Sequence, residues 1–565
     1  MKKTSNCGSW VRMPESREKL TESYFNYLAK CFPVMCASDE FHFVPRSAEA
    51  SRYYDRMEGL DPASIEECIL TLRGFQRDFD LLASGEDDLE RRIDLELLNS
   101  SIAGILIELE ENRFWRHDPL LYLKIAFIGL DHALNKPAGS HDERIERTLA
   151  RLCAIPRLLQ QAAGNIDRVP ETFHQAALAM LNDCGRYLRE TAQDLAREDA
   201  GRLSAAFEET RSALGAFGRY MGSLRPVPDR KLAVRSLETT LRDRFGSVRN
   251  LSEVFEIGVE EWLENLRELE ILQKDLAPGK SWMELYHGYC PEETGAIDTI
   301  TLYQREMERL KHFFESNGFR GVIAPGLPLV CQTPTYLQSV RGPASFSAAF
   351  TKDGREKDFF YITTQAQHQR SDEAGELRRK RFHREHKFLA AHETFPGHYL
   401  LDSTRRMLEN PVRSQIESPL FYEGWAYYVE SLVTEYGYAD RPTDRLVDRK
   451  RRLWRAARCQ IDIGLNSGRL VHEDAMRLLI TAGFSPEEAR GQIDRFRLNP
   501  GYQLCYSLGR FEILRLREAY AGKMGHDGFH RLLLEGGELP FHLIEKRLRR
   551  RDTPQERGGA CNGGF

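Results

Sequence analysis

The sequence predicts a mainly α-helical protein in two lobes, interrupted once by a small antiparallel β-sheet. Three observations carry that expectation. The chain has 565 residues, well past the ~250–300 at which a single hydrophobic core stops growing. Apolar residues recur at helical spacing over most of its length. The texture changes once, near residue 319, toward β-branched residues, proline and glycine.

The helical pattern is clearest in 89-LERRIDLELLNSSIAGILIELEEN-112. There Leu89, Ile93, Leu97, Ile102, Ile105, Leu106 and Leu109 form one broad apolar stripe. Similar stripes run through 140–162, 170–197, 200–221, 230–245, 250–275 and 293–317. No fixed repeat period is visible, which argues against an array of identical modules. The break 276-LAPGKSW-282 divides a helical N-terminal lobe (1–285) from a second lobe (286–550). In the second lobe, 319-FRGVIAPGLPLVCQTPTYL-337, 344-ASFSAAF-350 and 358-DFFYIT-363, with a turn at Asp353-Gly354, predict the antiparallel sheet. Helices resume near 374 and run to about 549, and the polar, Gly-rich end at 551–565 is expected to be disordered.

Composition narrows the function. Hydrophobic residues make up 41%, charged residues 29%, and the net charge is −5. No basic field points to nucleic acid. No apolar run follows the N-terminal lysines as a secretory signal requires, and no segment reaches the ~20 apolar residues that span a bilayer. A cytoplasmic protein without membrane attachment is the expectation. The eleven cysteines form no CxxC pair. Even the nearest two, Cys31 and Cys36, read as packed thiols.

The chemistry concentrates in 391-AHETFPGHYL-400. On an ideal helix the six-residue step from His392 to His398 leaves the two rings about 120° apart, unable to share a metal ion. Pro396 lacks an N–H and crowds the preceding turn, and Gly397 tolerates the result. Together they are expected to bulge the helix and return His398 to the side of His392. Glu393 would then face a metal-bound water as its base. Catalytic zinc usually takes three protein ligands, and 419-PLFYEGWAYYVESL-432 offers the third in Glu423. Tyr427 and Glu430 lie on roughly the same face, and Glu430 is a candidate to orient a histidine. His383 and His386 in 381-RFHREHKF-388 read as a solvated face. A di-iron centre would need repeated Glu-x-x-His pairs, but residues 396 and 426 are Pro and Ala.

HETFPGH and EGWAYYVE resemble the signature of the bacterial domain-of-unknown-function 885 family, His-Glu-x-x-Pro-Gly-His followed by Glu-Gly-Trp-Ala-x-Tyr-x-Glu. The segments 115-WRHDPLLYL-123, 462-DIGLNSGRL-470 and 497-RLNPGYQLCYSLGRFEILRLR-517 are similar to further blocks of that family. The resemblance implies a two-lobed, helical zinc-metallopeptidase-like fold, akin to thimet oligopeptidase and the helical carboxypeptidases, with the small sheet lining the cleft. It implies one Zn2+ per chain, with manganese or cobalt as alternatives, and a peptide or small amide as substrate. It assigns Tyr506 to the oxyanion. Arg510, one turn on, is a candidate to hold a substrate carboxylate. Three positions depart from the family pattern: Tyr399 and Asn466 replace histidines, and Tyr502 replaces glutamine. Those losses keep open a second reading, a catalytically altered member that binds peptides without cleaving them.

Overall fold

The structure is a computed structural model, and it describes residues 16–229, 234–294, 297–322, 324, 326–363 and 373–552. The N-terminal stretch searched for a signal (1–15) and the expected disordered tail from 553 onward lie outside the described residues.

The N-terminal half holds α1 (Arg17–Cys31), α2 (Pro62–Ser84), α3 (Leu89–Leu106), α4 (Pro119–Asn135), α5 (His141–Asn165) and α6 (Glu171–Ser223). Asp61, Asp88, Asp118 and Ser140 start four of them by accepting a backbone N–H of the first turn. The stripes at 170–197 and 200–221 are one helix, α6, rather than two. The step between them, Glu198-Asp199-Ala200-Gly201, holds no proline and a single glycine, which costs about 1 kcal/mol, too little to end a long helix. The motif 115-WRHDPLLYL-123 is a helix start: Asp118 caps α4, and the Tyr122 hydroxyl donates to the Trp115 carbonyl at 2.7 Å.

Next come α7 (Val234–Thr239), α8 (Leu251–Leu276), α9 (Trp282–Gly288) and α10 (Thr299–Ser316). Three short strands follow: β1 (Leu329–Gln332), β2 (Ala344–Ser347) and β3 (Phe359–Ile362). The sheet is mixed, not purely antiparallel. Its order is β1-β3-β2, with β1 parallel and β2 antiparallel to β3. The connection leaving β1 passes the sheet before β2 and β3 close as a hairpin, so β3 takes the centre and β2 an edge.

The C-terminal part holds α11 (Glu373–Glu393), α12 (His398–Met407), α13 (Pro419–Glu435), α14 (Pro442–Ser467), α15 (His472–Thr481), α16 (Pro486–Leu498), α17 (Leu504–Gly536, broken at Gly525) and α18 (Phe541–Asp552). The most extensive helix pairings are α8 on α14 and α13 on α17. The first crosses the boundary read near 285, and one connected apolar core runs from Leu20 to Leu548. Every residue of α13 from Pro419 to Val433 is buried, Glu423 and Glu430 among them.

Candidate metal centre

The stretch AHETFPGH is not a bulged helix. It is two helices meeting at a turn. Helix α11 ends at Glu393, and Thr394 is the last residue to bond back, its N–H donating to the Ala390 carbonyl at 2.9 Å. The Phe395–Pro396 peptide is cis, and α12 begins at His398 itself. Gly397 lies against the end of α11: a Cβ there would stand 1.9 Å from the His392 carbonyl oxygen. Only glycine permits that approach, which leaves the two imidazole centroids 4.7 Å apart. The Trp425 indole N–H pins the turn by donating to the Pro396 carbonyl at 2.9 Å. Two motifs that are distant in sequence are thus parts of one joint.

Glu423 arrives on α13. The neighbouring Gly424 meets Gly509 of α17 so closely that a Cβ would lie 2.5 Å from the Gly509 Cα. This contact brings the start of α17 onto the carboxylate. The hydroxyls of Tyr502 and Tyr506 both donate to Glu423 Oε1, at 2.6 and 2.7 Å. Oε2 faces the other way, 3.5 Å from His392 Nε2 and 3.5 Å from His398 Nε2. It is buried and has no hydrogen-bond partner. One ligand atom from each of His392, His398 and Glu423 lies within 4.8 Å of the others.

The histidines are held differently. His392 Nδ1 is 2.8 Å from Glu430 Oε1, and Arg451 and Arg455 fix that carboxylate with donors at 2.9 Å. His398 stacks on Tyr422 with centroids 3.8 Å apart, and its Nδ1 has no partner. Burial disfavours ionising Glu423, but both imidazoles outweigh it and hold the carboxyl well below its usual range. Burial also disfavours charge on His392, yet Glu423 and Glu430 raise its pKa. Burial, with Glu423 adding to it, pushes the Tyr502 phenol up. Tyr506 is raised by burial as well, against the opposing pull of Arg458. Both therefore keep their protons. Glu393 sits beside the cluster, and its Oε2 accepts the Phe346 N–H of β2 at 2.9 Å.

These groups open into a cleft of about 1240 Å³. Edge strand β2 forms one wall and the α14 arginines another. Four expected site residues stand elsewhere. The Tyr427 hydroxyl donates to Glu261 at 2.7 Å, and Arg510 is engaged by Ser431 and Glu261 at 3.1 and 3.2 Å, so neither points into the cleft. Asn466 donates to the Asp462 carbonyl of its own helix. Tyr399 is buried against Phe346, behind β2. The solvated face expected at His383 and His386 is also wrong. Both are buried, His383 between Thr294 and Thr299 and His386 beside Glu306, because α10 covers that side of α11.

Sequence reading missed the charge network behind His392, in which Glu385 and Glu430 share Arg451. Its signal was present: Arg451, Arg455 and Arg458 recur at i, i+4 and i+7, one face of α14. Asp462 was missed as well. It accepts the N–H groups of Gly501 and Gln503 at 2.8 and 2.7 Å and so sets the loop that presents Tyr502.

Two solved structures share the fold. A candidate lipoprotein of unknown function from Shewanella oneidensis superposes with a TM-score of 0.75 at 18% identity, over 95% of this chain and 100% of that one. A candidate lipoprotein from Colwellia psychrerythraea gives 0.74 at 16% identity, over 95% and 99%. No curated protein matches the chain. The match that places it is to the family described as bacterial protein of unknown function, which covers residues 45–548, and the chain therefore belongs to that family, DUF885.

Proposed function

We propose that the protein is a metal-dependent hydrolase of peptide or related amide bonds, built on a helical metallopeptidase-like plan, with zinc as the favoured ion. One observation carries the reading: Glu423 Oε2 is buried without a hydrogen-bond partner and stands 3.5 Å from a nitrogen of each histidine. An unpartnered carboxylate oxygen is costly to bury. Ligands about 2.0–2.1 Å from a tetrahedral ion stand roughly 3.4 Å apart, close to the spacing found. His392, His398 and Glu423 would hold the ion, three protein ligands leaving one position open. When bound, the ion supplies Lewis acidity, polarising a carbonyl and lowering the pKa of a water to about 7.

The chain's own groups do the rest. Glu393 adjoins the ligand set, and its carboxylate takes the proton of the attacking water and passes it to the leaving amine. Tyr506 keeps its proton and is a hydrogen-bond donor at neutral pH; freed from Glu423, its hydroxyl serves the developing oxyanion. Edge strand β2 has a place for an extended peptide to pair. A cytoplasmic location belongs to this proposal, and no helix among the described residues is long and apolar enough to cross a membrane. The lipoprotein description of the two structural neighbours favours the alternative, attachment at a membrane surface.

Metal analysis joined to digestion of a peptide mixture, read by mass spectrometry, tests the reading. About one zinc per chain and defined cleavages are expected. Glu393→Gln should keep the metal and lose turnover by roughly 10²–10⁴-fold. A chain that binds no divalent metal, or a Glu393→Gln variant with full turnover, sinks the proposal. Metal and peptide binding without cleavage would instead favour the altered-member reading.

A further inference from the structure

Among the described residues, one cation of the cleft wall has no anion paired with it. Arg244, Arg341, Arg381, Arg451, Arg455 and Arg497 all line the cleft, and each pairs with a carboxylate at 2.5–3.9 Å. Arg458 also lines it and is only 8% exposed, yet among the described residues no carboxylate pairs with it. Its Nε and Nη2 donate to one neutral acceptor, Gln503 Oε1, at 3.0 and 2.5 Å. The guanidinium lies 3.9 Å from the centre of the Tyr506 ring, and that ring's hydroxyl is 2.7 Å from Glu423 Oε1. A buried charge is stable only with a partner. One missing partner in a wall where six neighbouring arginines have theirs calls for an anion brought by the ligand.

We propose that Arg458 binds the free α-carboxylate of the substrate, which makes the enzyme one that removes C-terminal residues or splits dipeptides. The inference rests on the hydrolase reading. A single tyrosine ring separates the guanidinium from the ligand carboxylate Glu423. An extended residue spans only ~3.3–3.6 Å, so the carboxylate on Arg458 belongs to the residue that follows the scissile amide. A planar guanidinium suits that carboxylate because it can donate two parallel hydrogen bonds. In the reaction the last C–N amide bond breaks and the water oxygen joins the acyl carbon. One water proton goes to the released amine, and the other is lost from the new carboxyl group. Arg510, the earlier candidate for this contact, is excluded by its bonds to Ser431 and Glu261.

The simpler role for Arg458 is to prop Tyr506 by stacking, which would affect every ligand alike. Calorimetric titration of the metal-loaded and the metal-free protein with N-acetyl-Ala-Phe and with its C-terminal amide separates the two roles. Wild type should bind the acid about 30-fold tighter than the amide, the range of a charge-assisted hydrogen bond. Arg458→Met should bring that ratio close to one, and Arg458→Lys should restore part of it. Unchanged thermal melts confirm that the variants fold. Equal binding of acid and amide by wild type, binding of neither, or an unchanged ratio in Arg458→Met overturns the proposal. Failure of the hydrolase reading shows separately, as loss of metal or of turnover while the acid preference persists.

Discussion

Helices α4 and α14 are both buried along most of their length, yet α4 is almost wholly apolar, whereas α14 buries charges alongside its leucines and isoleucines. Helix α4 buries Leu120, Tyr122, Leu123, Ile125, Phe127 and Leu130. Each large apolar side chain taken from water contributes about 1.5–3 kcal/mol. Helix α14 buries Asp448, Lys450, Arg451, Arg452, Arg455 and Arg458. Buried ion pairs rarely repay their desolvation, and apolar replacements of the same volume are often as stable or more so. Stability therefore explains α4 and the apolar residues of α14, and does not explain the charges that α14 buries. Three of those charges, Arg451, Arg455 and Arg458, meet Glu430, Gln503 and the face of Tyr506, and Glu430 and Tyr506 in turn touch His392 and Glu423. The difference teaches where to look in a chain of this kind: charge that folding would discard surrounds the part proposed to carry the chemistry.

Paired substitutions give the strongest way to break this comparison. Phe127→Ala in α4 should cost about 3–5 kcal/mol of stability through the cavity it leaves, with metal affinity unchanged. Glu430→Ala should cost a similar 3–5 kcal/mol, because Arg455 loses its carboxylate and Arg451 one of two. It should also weaken metal binding by roughly 10–100-fold, since His392 loses the group that orients its ring. Thermal melts and chelator competition on both variants decide the matter. If Phe127→Ala also loosens the metal, or Glu430→Ala leaves it tight, the division between the two helices is not real.

A smaller effect sharpens the comparison from within α14. Lys450 is buried beside Tyr286 and Phe484, with Glu385 at 3.6 Å and Arg381 and Arg451 nearby. Burial and those arginines lower its pKa to about 7, against 10.5 ordinarily. Below pH 7 both the folded and the unfolded chain carry its proton, and the burial cost is felt in full. Between about 7 and 10 the unfolded chain keeps the proton that the folded chain has lost. Stability from this group therefore rises with pH across that window. Wild type should gain on the order of 3 kcal/mol relative to Lys450→Met between pH 7 and 10, read from denaturant titrations. A difference that stays flat with pH would mean that Glu385 fully compensates the charge.

Much of this was legible in the sequence, and the reason is physical. Helical periodicity reports burial along one face, so nearly every stripe became a helix. The motif residues His392, His398 and Glu423 converge because glycines at 397 and 424 permit backbone contacts that nothing else would. What periodicity could not report was partnership across elements. His383 and His386 look polar and therefore exposed, until α10 covers them. Arg510 lies one turn from Tyr506 and shares its helix face, but Glu261, distant in sequence, claims it. The arginine stripe of α14 was visible as spacing, but its meaning required knowing that Glu430 and Glu385 lie opposite. Strand order failed for the same reason: local turn signals predict hairpins, and the parallel pairing of β1 with β3 is not local.

The finest test lies at the start of α17, where Tyr502, just before the helix, and Tyr506, within it, share one oxygen of Glu423. Tyr502 stands where the family pattern has glutamine, so its hydroxyl supplies a bond by a different side chain at the same place. Tyr502→Phe removes one of two donors and leaves Oε2 untouched. It should weaken metal binding by about 1 kcal/mol, roughly fivefold, with turnover at saturating metal nearly unchanged. Tyr506→Phe removes the same kind of bond and should weaken the metal equally. It should also cost roughly 10²–10³ in turnover, because that phenol alone is proposed to meet the oxyanion. Chelator competition and saturating-substrate rates on the two variants separate holding the ligand from serving the reaction. If both lose turnover alike, the two hydroxyls act as one clamp, and the oxyanion must be served from elsewhere in the cleft.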